Sequence, residues 1–121
     1  MPMHPPRDTP PRVDVDPDAP TPVRQAGLHF NHQRFFDAHE GWEEHWHDMQ
    51  GPAREAMQAL IQIAVALEHD QRGNATGARR TLQRATTRLL AAGQSAQNLF
   101  GIDVADLMRQ AQQWIDRHNA R

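Results

Sequence analysis

The sequence predicts an all-α protein, a single up-down bundle of about five helices preceded by a disordered proline-rich arm. Three observations predict this fold class. Apolar residues after position 22 recur at helical spacing, and no alternating β-branched run interrupts them. Eight of the nine prolines fall within the first 22 residues, where the apolar residues show no period. Glycine, asparagine and proline then punctuate the rest of the chain at intervals that suit short helices joined by tight turns.

These observations divide the chain into an arm, residues 1–21, and a helical domain, residues 22–121. The domain has about 100 residues, which is enough for one modest hydrophobic core. Because the arm is rich in proline and has no apolar period, it is predicted to contribute nothing to the stability of the fold.

Helices are predicted at about 22–31, 33–49, 52–72 and 75–92, with a loop over 93–101 and a last helix after Asp103. Asn74 and Asp103 are expected to cap the fourth and fifth helices. The third helix is apolar over most of its circumference, so it should be central and surrounded. Residues 28–38 and 67–78 share a similar spacing, which favours two helical hairpins of tetratricopeptide type.

Composition excludes several classes of protein and of site. The chain has no cysteine, so it can form neither a disulfide nor a thiolate metal site. No apolar run approaches the length of a membrane-spanning helix. The N-terminus lacks the apolar core of a signal peptide. We therefore expect a cytoplasmic protein without a membrane partner.

Charge is strongly segregated although the net charge is only −2. Residues 31–70 carry eight acids and two arginines, whereas residues 71–102 carry five arginines and no acid. Either the acidic helix packs against the basic one, or the two create a two-sign surface. Arg80, Arg84 and Arg88 form one helical row, which is interpreted as a solvated face. The lack of interleaved aromatic residues and the negative net charge argue against nucleic-acid binding.

The segment 30–46 combines aromatic rings with three histidines and three glutamates, and holds most of the possible chemistry. His39, Glu43 and His47 are spaced four residues apart along one flank of the second helix. A divalent ion could use His39 with Glu43, or Glu43 with His47, plus a ligand from another helix. One ion cannot take all three, because residues eight apart are about 12 Å apart along a helix axis.

The alternative interpretation is structural. His39 and Glu43 would satisfy each other, or Gln62 of the third helix, in a semi-buried interhelical network. Asn31 would cap a turn rather than contact a ligand. His69 would stabilise the end of the third helix. On the aromatic face of the second helix, Trp42 and Trp46 are expected to be core residues packed against the third helix. 

The same residues resemble a known family. In its first half the chain reads Phe30-Asn31, Phe35-Phe36, Ala38-His39-Glu40, Glu43 and Trp46. In its second half it reads Leu60-Ile61-Gln62, Ala64, Ala66, His69, Gly73-Asn74, Gly77-Ala78 and Leu82. These paired motifs are similar to those of the small prokaryotic family called domain of unknown function 309. One departure is Ala59, where the family usually has glycine.

The resemblance implies an all-helical fold and no established activity. Carried over by position, the polar signature of the family consists of Asn31, His39, Glu40, Glu43, Gln62, His69 and Asn74. Such a shared polar set fits either a site or a buried network, so two hypotheses stay open.

The first hypothesis is a non-enzymatic interaction or structural module that acts in an assembly, with a protein partner or a second copy and without a cofactor. The alternative is a metal-dependent or acid–base enzyme, hydrolase-like, centred on His39, Glu40 and Glu43. In that enzyme His39 and Glu43 would be the tentative ligands of a divalent metal.

Overall fold

The computed structural model describes residues 9–120, and in this range the all-helical prediction is confirmed. Five α-helices follow one another: α1 (Thr21–Asn31), α2 (Phe35–Trp46), α3 (Gly51–Gln71), α4 (Ala75–Ala92) and α5 (Val104–His118). A single 3₁₀ turn, Gly93–Ala96, lies within the predicted loop. Residues 9–120 contain no β-strand, only an isolated bridge between Leu99 and Ile102. No helix in this range is long and apolar enough to cross a membrane.

Helix α3 is the centre of the bundle, as its composition predicts. It packs against α2, α4 and α5 and against the 3₁₀ turn. Its completely buried side chains include Met57, Leu60, Ile63 and Leu67. Ala59 is also completely buried, so the methyl group at this position lies inside the core. A helix with apolar residues on most sides must have neighbours on most sides, and this requirement determines where the other helices lie.

Most helix ends match the sequence prediction. The Asn74 side chain accepts a hydrogen bond from Gly77 N at 2.9 Å, and Asp103 accepts one from Asp106 N at 2.9 Å. Asp106, in the first turn of α5, accepts hydrogen bonds from Gln110 and Arg109, and these lower its carboxyl pKa. Helix α2 is shorter than predicted, because it begins at Phe35 and ends at Trp46 instead of continuing to about residue 49.

The turns that join α1 to α2 and α3 to α4 have the same geometry. The amides of Gln33 and Arg34 bond back to Phe30 O and His29 O, and those of Gly73 and Asn74 bond back in the same register, to Asp70 O and His69 O. Gln33 and Gly73 occupy equivalent positions in the two turns, and both have a positive φ, of 61° and 78°. The repeat seen in the sequence is therefore a repeated helical hairpin. The Gln71 side chain joins the two turns by donating to Gln33 O at 2.9 Å.

The polar end of the bundle is held by Asp70, which the sequence did not single out. Its side chain is only 4% exposed. One carboxylate oxygen lies 2.7 Å from His118 Nδ1, and the other accepts from Asn119 Nδ2 at 3.1 Å. These contacts connect the end of α3 to the end of α5. A buried carboxylate needs such partners, since burying a charge without them is costly.

The second half of the N-terminal arm packs against the bundle. Residues 1–8 lie outside the described residues. Residues 11–19, named here the strap, run along the bundle and are fastened to it. Val13 and Ala19 are 3% and 7% exposed, and Val15 packs against the core. The strap is therefore packed against the helical domain by its apolar side chains. Proline density hid this, because two valines alone do not make a detectable apolar period.

Trp42 is a core residue as predicted, but its hydrogen bond and its aromatic contact are with α1. Its side chain is completely buried and its Nε1 donates to Val23 O at 3.2 Å. Its ring centroid lies 5.5 Å from that of Phe30. Trp46 is only partly buried and carries the Arg54 guanidinium of α3 over its ring, 4.0 Å from the centroid.

We predict that Trp42→Ala costs roughly 3–5 kcal/mol of unfolding free energy, because it leaves a cavity among completely buried side chains. Trp42→Phe should cost less, since it keeps part of the ring volume and loses the bond to Val23 O. Trp46→Ala should cost less than Trp42→Ala, because Trp46 is partly exposed. Urea unfolding followed by circular dichroism would measure the order of the three. An equal cost for Trp42→Ala and Trp46→Ala would contradict the difference in burial.

We also predict that removing residues 1–19 destabilises the bundle. The loss of Val13 and Val15 burial alone is worth roughly 2–4 kcal/mol, at about 1.5–3 kcal/mol for a fully buried valine. A melting temperature lower by roughly 8 °C or more should follow for a domain of this size. A control that lacks only residues 1–8 keeps all of these contacts and should melt close to the intact chain. Equal melting temperatures for both truncations would mean that the strap does not stabilise the fold.

Candidate functional site

The side chain of Asn31, at the last position of α1, forms hydrogen bonds with the backbone of the strap. Its Nδ2 donates to Val13 O at 2.8 Å, and its Oδ1 accepts from Val13 N at 2.8 Å. One amide side chain thus satisfies both polar groups of one residue, as a neighbouring β-strand would. The sequence predicted that Asn31 caps backbone groups of a turn rather than contacting a ligand, and the groups that it pairs with are backbone groups of a distant segment. Here the bound group is a segment of the same chain.

The surface under the strap is shaped to admit an extended backbone. A Cβ atom at Gly27 of α1 would lie 2.5 Å from Val15 Cγ2, so only glycine leaves room for that valine. Gly101, with φ at 86°, would bring a Cβ within 2.9 Å of Asp16 N. Asp16 N itself donates to Phe100 O at 2.8 Å. This surface, formed by α1 and the segment 98–102, is named here the strap groove.

His39 and Glu43 pair along α2, as the spacing predicts. His39 Nε2 lies 3.0 Å from Glu43 Oε2, and the two side chains are 22% and 46% exposed. The imidazole also meets the edge of the Phe36 ring, with centroids 5.6 Å apart. Its other nitrogen, Nδ1, is buried and has no partner among residues 9–120. The pair is therefore half open to solvent and carries one unsatisfied ring nitrogen.

The larger network expected around this pair is formed only in part. Gln62 lies on α3, and its Oε1 is buried without a hydrogen-bond partner among the described residues. No hydrogen bond joins Gln62 to His39 or Glu43 within residues 9–120, so the interhelical link remains a prediction. Glu40 is exposed on α2.

His39 and Glu43 were predicted as possible metal ligands, and the structure shows how many other ligands lie near them. Within residues 9–120 no group of three or more histidine, cysteine, aspartate or glutamate side chains is arranged to hold a metal ion. His39 and Glu43 together supply two possible ligands, whereas zinc takes three or four from protein. A metal at this position would need further ligands from water or from another molecule.

His69 and Asn74 lie together at the turn between α3 and α4. Asn74 Nδ2 is 3.3 Å from His69 Nδ1, and Asn74 Oδ1 caps α4. His69 is in the last turn of α3. Both residues are engaged in ending one helix and starting the next.

Five of the seven signature residues make contacts that place them at three separate positions. Asn31 binds the strap, His39 and Glu43 form a pair on α2, and His69 with Asn74 builds a turn.

The segregated charges lie on helices that both pack against α3. Acidic α2 and basic α4 each contact α3. Two ion pairs join the acidic and basic segments within the described residues: Arg88 to Glu55 at 3.1 Å and Arg72 to Glu68 at 2.9 Å. Arg80 and Arg84 are exposed, in agreement with a solvated row. Of the two interpretations left open, the arrangement fits the two-sign surface.

A cleft between the end of α2, the start of α3 and the end of α4 was not anticipated. It has a volume of about 330 Å³, and its lining includes Trp46, Arg54 and Arg88. The sequence signal for this cleft is an arginine in the first turn of α3, eight residues after Trp46, at a helix start without a side-chain cap.

Comparison with known proteins agrees with the motifs. The model of the family described as Domain of unknown function (DUF309) matches residues 23–81, which span α1, α2, α3 and the first turns of α4. This range holds all seven signature residues and excludes the strap. No curated protein and no solved structure gave a match to the chain. The chain thus carries a helical core that resembles the DUF309 family of domains of unknown function.

Proposed function

We propose that this domain is a non-enzymatic protein-interaction module that holds an extended polypeptide segment in the strap groove. The observation that carries the proposal is the double hydrogen bond between the Asn31 side chain and the backbone of Val13. Asn31 belongs to the signature shared with the family and lies inside the matched range. Its partner Val13 lies outside that range. The side chain that holds the segment is therefore in the family-like part of the chain, whereas the segment that it holds is not.

An asparagine amide suits this task because it has both a donor and an acceptor. The amide can pair with the N–H and C=O of any non-proline residue in an extended segment, whatever the side chain of that residue. Selectivity would come from the two places where side chains enter the groove, those filled by Val13 and Val15. Alternate side chains of an extended segment point to the same face, which fits this two-residue spacing. The mode resembles the addition of a strand to a sheet edge.

The partner that best fits the groove is a second copy of this chain, since the strap already has the required sequence. A strap tethered beside its own groove has a high effective concentration, so the closed form dominates in a dilute single chain. Exchange of straps between two copies would use the same contacts and therefore costs little at equilibrium. The domain would then assemble through a segment that otherwise covers its own surface.

The alternative is a metal-dependent or acid–base enzyme centred on His39, Glu40 and Glu43. One observation favours it: His39 is paired with a carboxylate at 3.0 Å while its Nδ1 is buried without a partner. A carboxylate that orients an imidazole is a common arrangement in acid–base catalysis. Glu40 and Glu43 are accessible enough to take part. The arrangement lacks a third ligand or a nucleophile in the described residues, so we rank it second.

We predict that the groove binds a strap supplied in trans once its own strap is disabled. In full-length Val13→Asp/Val15→Asp, two buried valines become charged, so the cis strap should leave the groove. A fluorescent peptide with the wild-type sequence of residues 9–20 should then bind, measured by anisotropy. It should also restore part of the stability that the variant has lost. The wild-type chain should bind the peptide much more weakly, because its groove is filled.

Matched controls distinguish specific recognition of the strap peptide from nonspecific peptide binding. Adding Asn31→Ala to the disabled chain should abolish peptide binding, whereas His32→Ala, at the exposed neighbouring position, should leave it unchanged. A peptide in which both valines are aspartate should not bind. If the disabled chain neither binds the wild-type peptide nor is stabilised by it, the interaction proposal is wrong.

Metal binding by His39 and Glu43 is tested separately, by thermal unfolding. If His39 and Glu43 are structural, zinc, manganese and iron(II) should leave the wild-type melting temperature unchanged, and His39→Ala should cost no more than about 1 kcal/mol, because its partner Glu43 is 46% exposed and stays hydrated. If they bind a metal, the wild type should gain about 2.7 kcal/mol at a hundredfold excess over the dissociation constant. We expect the first result. A metal-dependent rise that disappears in His39→Ala would favour the enzyme.

A further inference from the structure

A second, independent feature is the cleft between the end of α2, the start of α3 and the end of α4, named here the Trp46 cleft. Two polar atoms of its lining residues are buried and have no hydrogen-bond partner among residues 9–120: Trp46 Nε1 and Arg54 Nε. Both belong to groups that can only donate, because an indole and a guanidinium have no acceptor. Buried donors without acceptors are costly and rare in folded proteins, so they indicate a missing acceptor.

The charge around the cleft defines that acceptor further. Arg88 is neutralised by Glu55, whose Oε2 lies 3.1 Å from Arg88 Nη1. Arg54 has no carboxylate partner among the ion pairs of the described residues, and its guanidinium lies 4.0 Å from the Trp46 ring centroid. The surroundings of the two free donors therefore have one positive charge in excess. A ligand with a single negative charge balances this better than a doubly charged one.

Other parts of the chain add to the same positive potential and hold the donors in place. Arg54 is the fourth residue of α3, and α3 begins without a side-chain cap and without an acid in its first turn. The N-terminal end of a helix carries a partial positive charge. Stacking on the indole restrains the guanidinium, which reduces the conformational freedom lost when it binds a ligand.

We propose that the Trp46 cleft is a binding site for a carboxylate, held by Trp46 Nε1 and by the guanidinium of Arg54. The two carboxylate oxygens supply the acceptors that both donors lack, and the single negative charge pairs with Arg54. The volume of about 330 Å³ admits a small organic acid or the end of a polypeptide chain. The site is separate from the strap groove and does not depend on the proposed interaction function.

The test is a titration of the full-length protein with sodium acetate at constant ionic strength, followed by NMR of the tryptophan indole N–H groups. The Trp46 signal should move and saturate. Trp42 provides an internal control, since its indole already donates to Val23 O and should stay in place. Sodium chloride should cause no comparable shift. No saturable movement of Trp46, or an equal movement with chloride, would overturn the proposal.

Variants of Arg54 and Trp46 test whether these two donors bind the acetate. Arg54→Gln should weaken acetate binding roughly tenfold or more, as expected for the loss of a charged hydrogen bond. Arg84→Gln removes an exposed arginine of α4 outside the cleft and should leave binding unchanged. If Arg54→Gln is too unstable to measure, Trp46→Phe keeps the ring and removes the N–H. Its acetate affinity, followed by calorimetry, should also fall. Wild-type affinity in the measurable variant would contradict the assignment.

Three further probes distinguish the sources of the negative group. N-acetylalanine carries the carboxylate of a chain end, and N-acetylalanine amide lacks it. Binding of the acid tighter than acetate, with none of the amide, would identify a polypeptide end as the source. Acetate binding at least as tight as N-acetylalanine would identify a small organic acid. Inorganic phosphate binding tighter than both carboxylates would overturn the choice of a carboxylate.

Discussion

The structure depends on one constraint: α3 is apolar over most of its surface and has to be covered on every side. Met57, Leu60, Ile63 and Leu67 are completely buried, and α2, α4 and α5 all pack against this helix. Helix α1 joins the core through α2, where Trp42 contacts Phe30 and donates to Val23 O. The signature polar side chains lie at the margins of this arrangement, at helix ends and along α2, except for Gln62 in the middle of α3.

Satisfaction of polar groups explains how these margins are organised. Asn31 pairs with both backbone groups of Val13, Asp70 receives His118 and Asn119, and Asn74 caps α4. Each arrangement fastens a segment that hydrophobic packing alone would leave loose. The exceptions among residues 9–120 are the buried atoms without a hydrogen-bond partner in His39, Gln62, Trp46 and Arg54. Two of these belong to the Trp46 cleft, and this concentration of unused donors distinguishes it from the rest of the surface.

Much of the fold could be predicted from local information. The repeated spacing of residues 28–38 and 67–78 corresponds to two turns with the same hydrogen bonds, and Asn74 and Asp103 cap the helices as expected. The pairing of His39 with Glu43 also follows from the four-residue spacing, since such residues are neighbours on a helix. The strap could not be predicted in this way. Its order comes from Asn31, Gly27 and Phe100, and each of these lies far from it in sequence.

By itself, the sequence determined the helical class, the central position of α3, most helix limits and the family-like signature. These features depend on apolar period, capping residues and turn chemistry, all of which act over a few neighbouring residues. Only the tertiary structure decided that Asn31 binds Val13, that Asp70 is a buried anchor and that Trp46 and Arg54 share a cleft. Each of these contacts joins residues from different elements. Their formation depends on how the helices pack around α3, which no local pattern encodes.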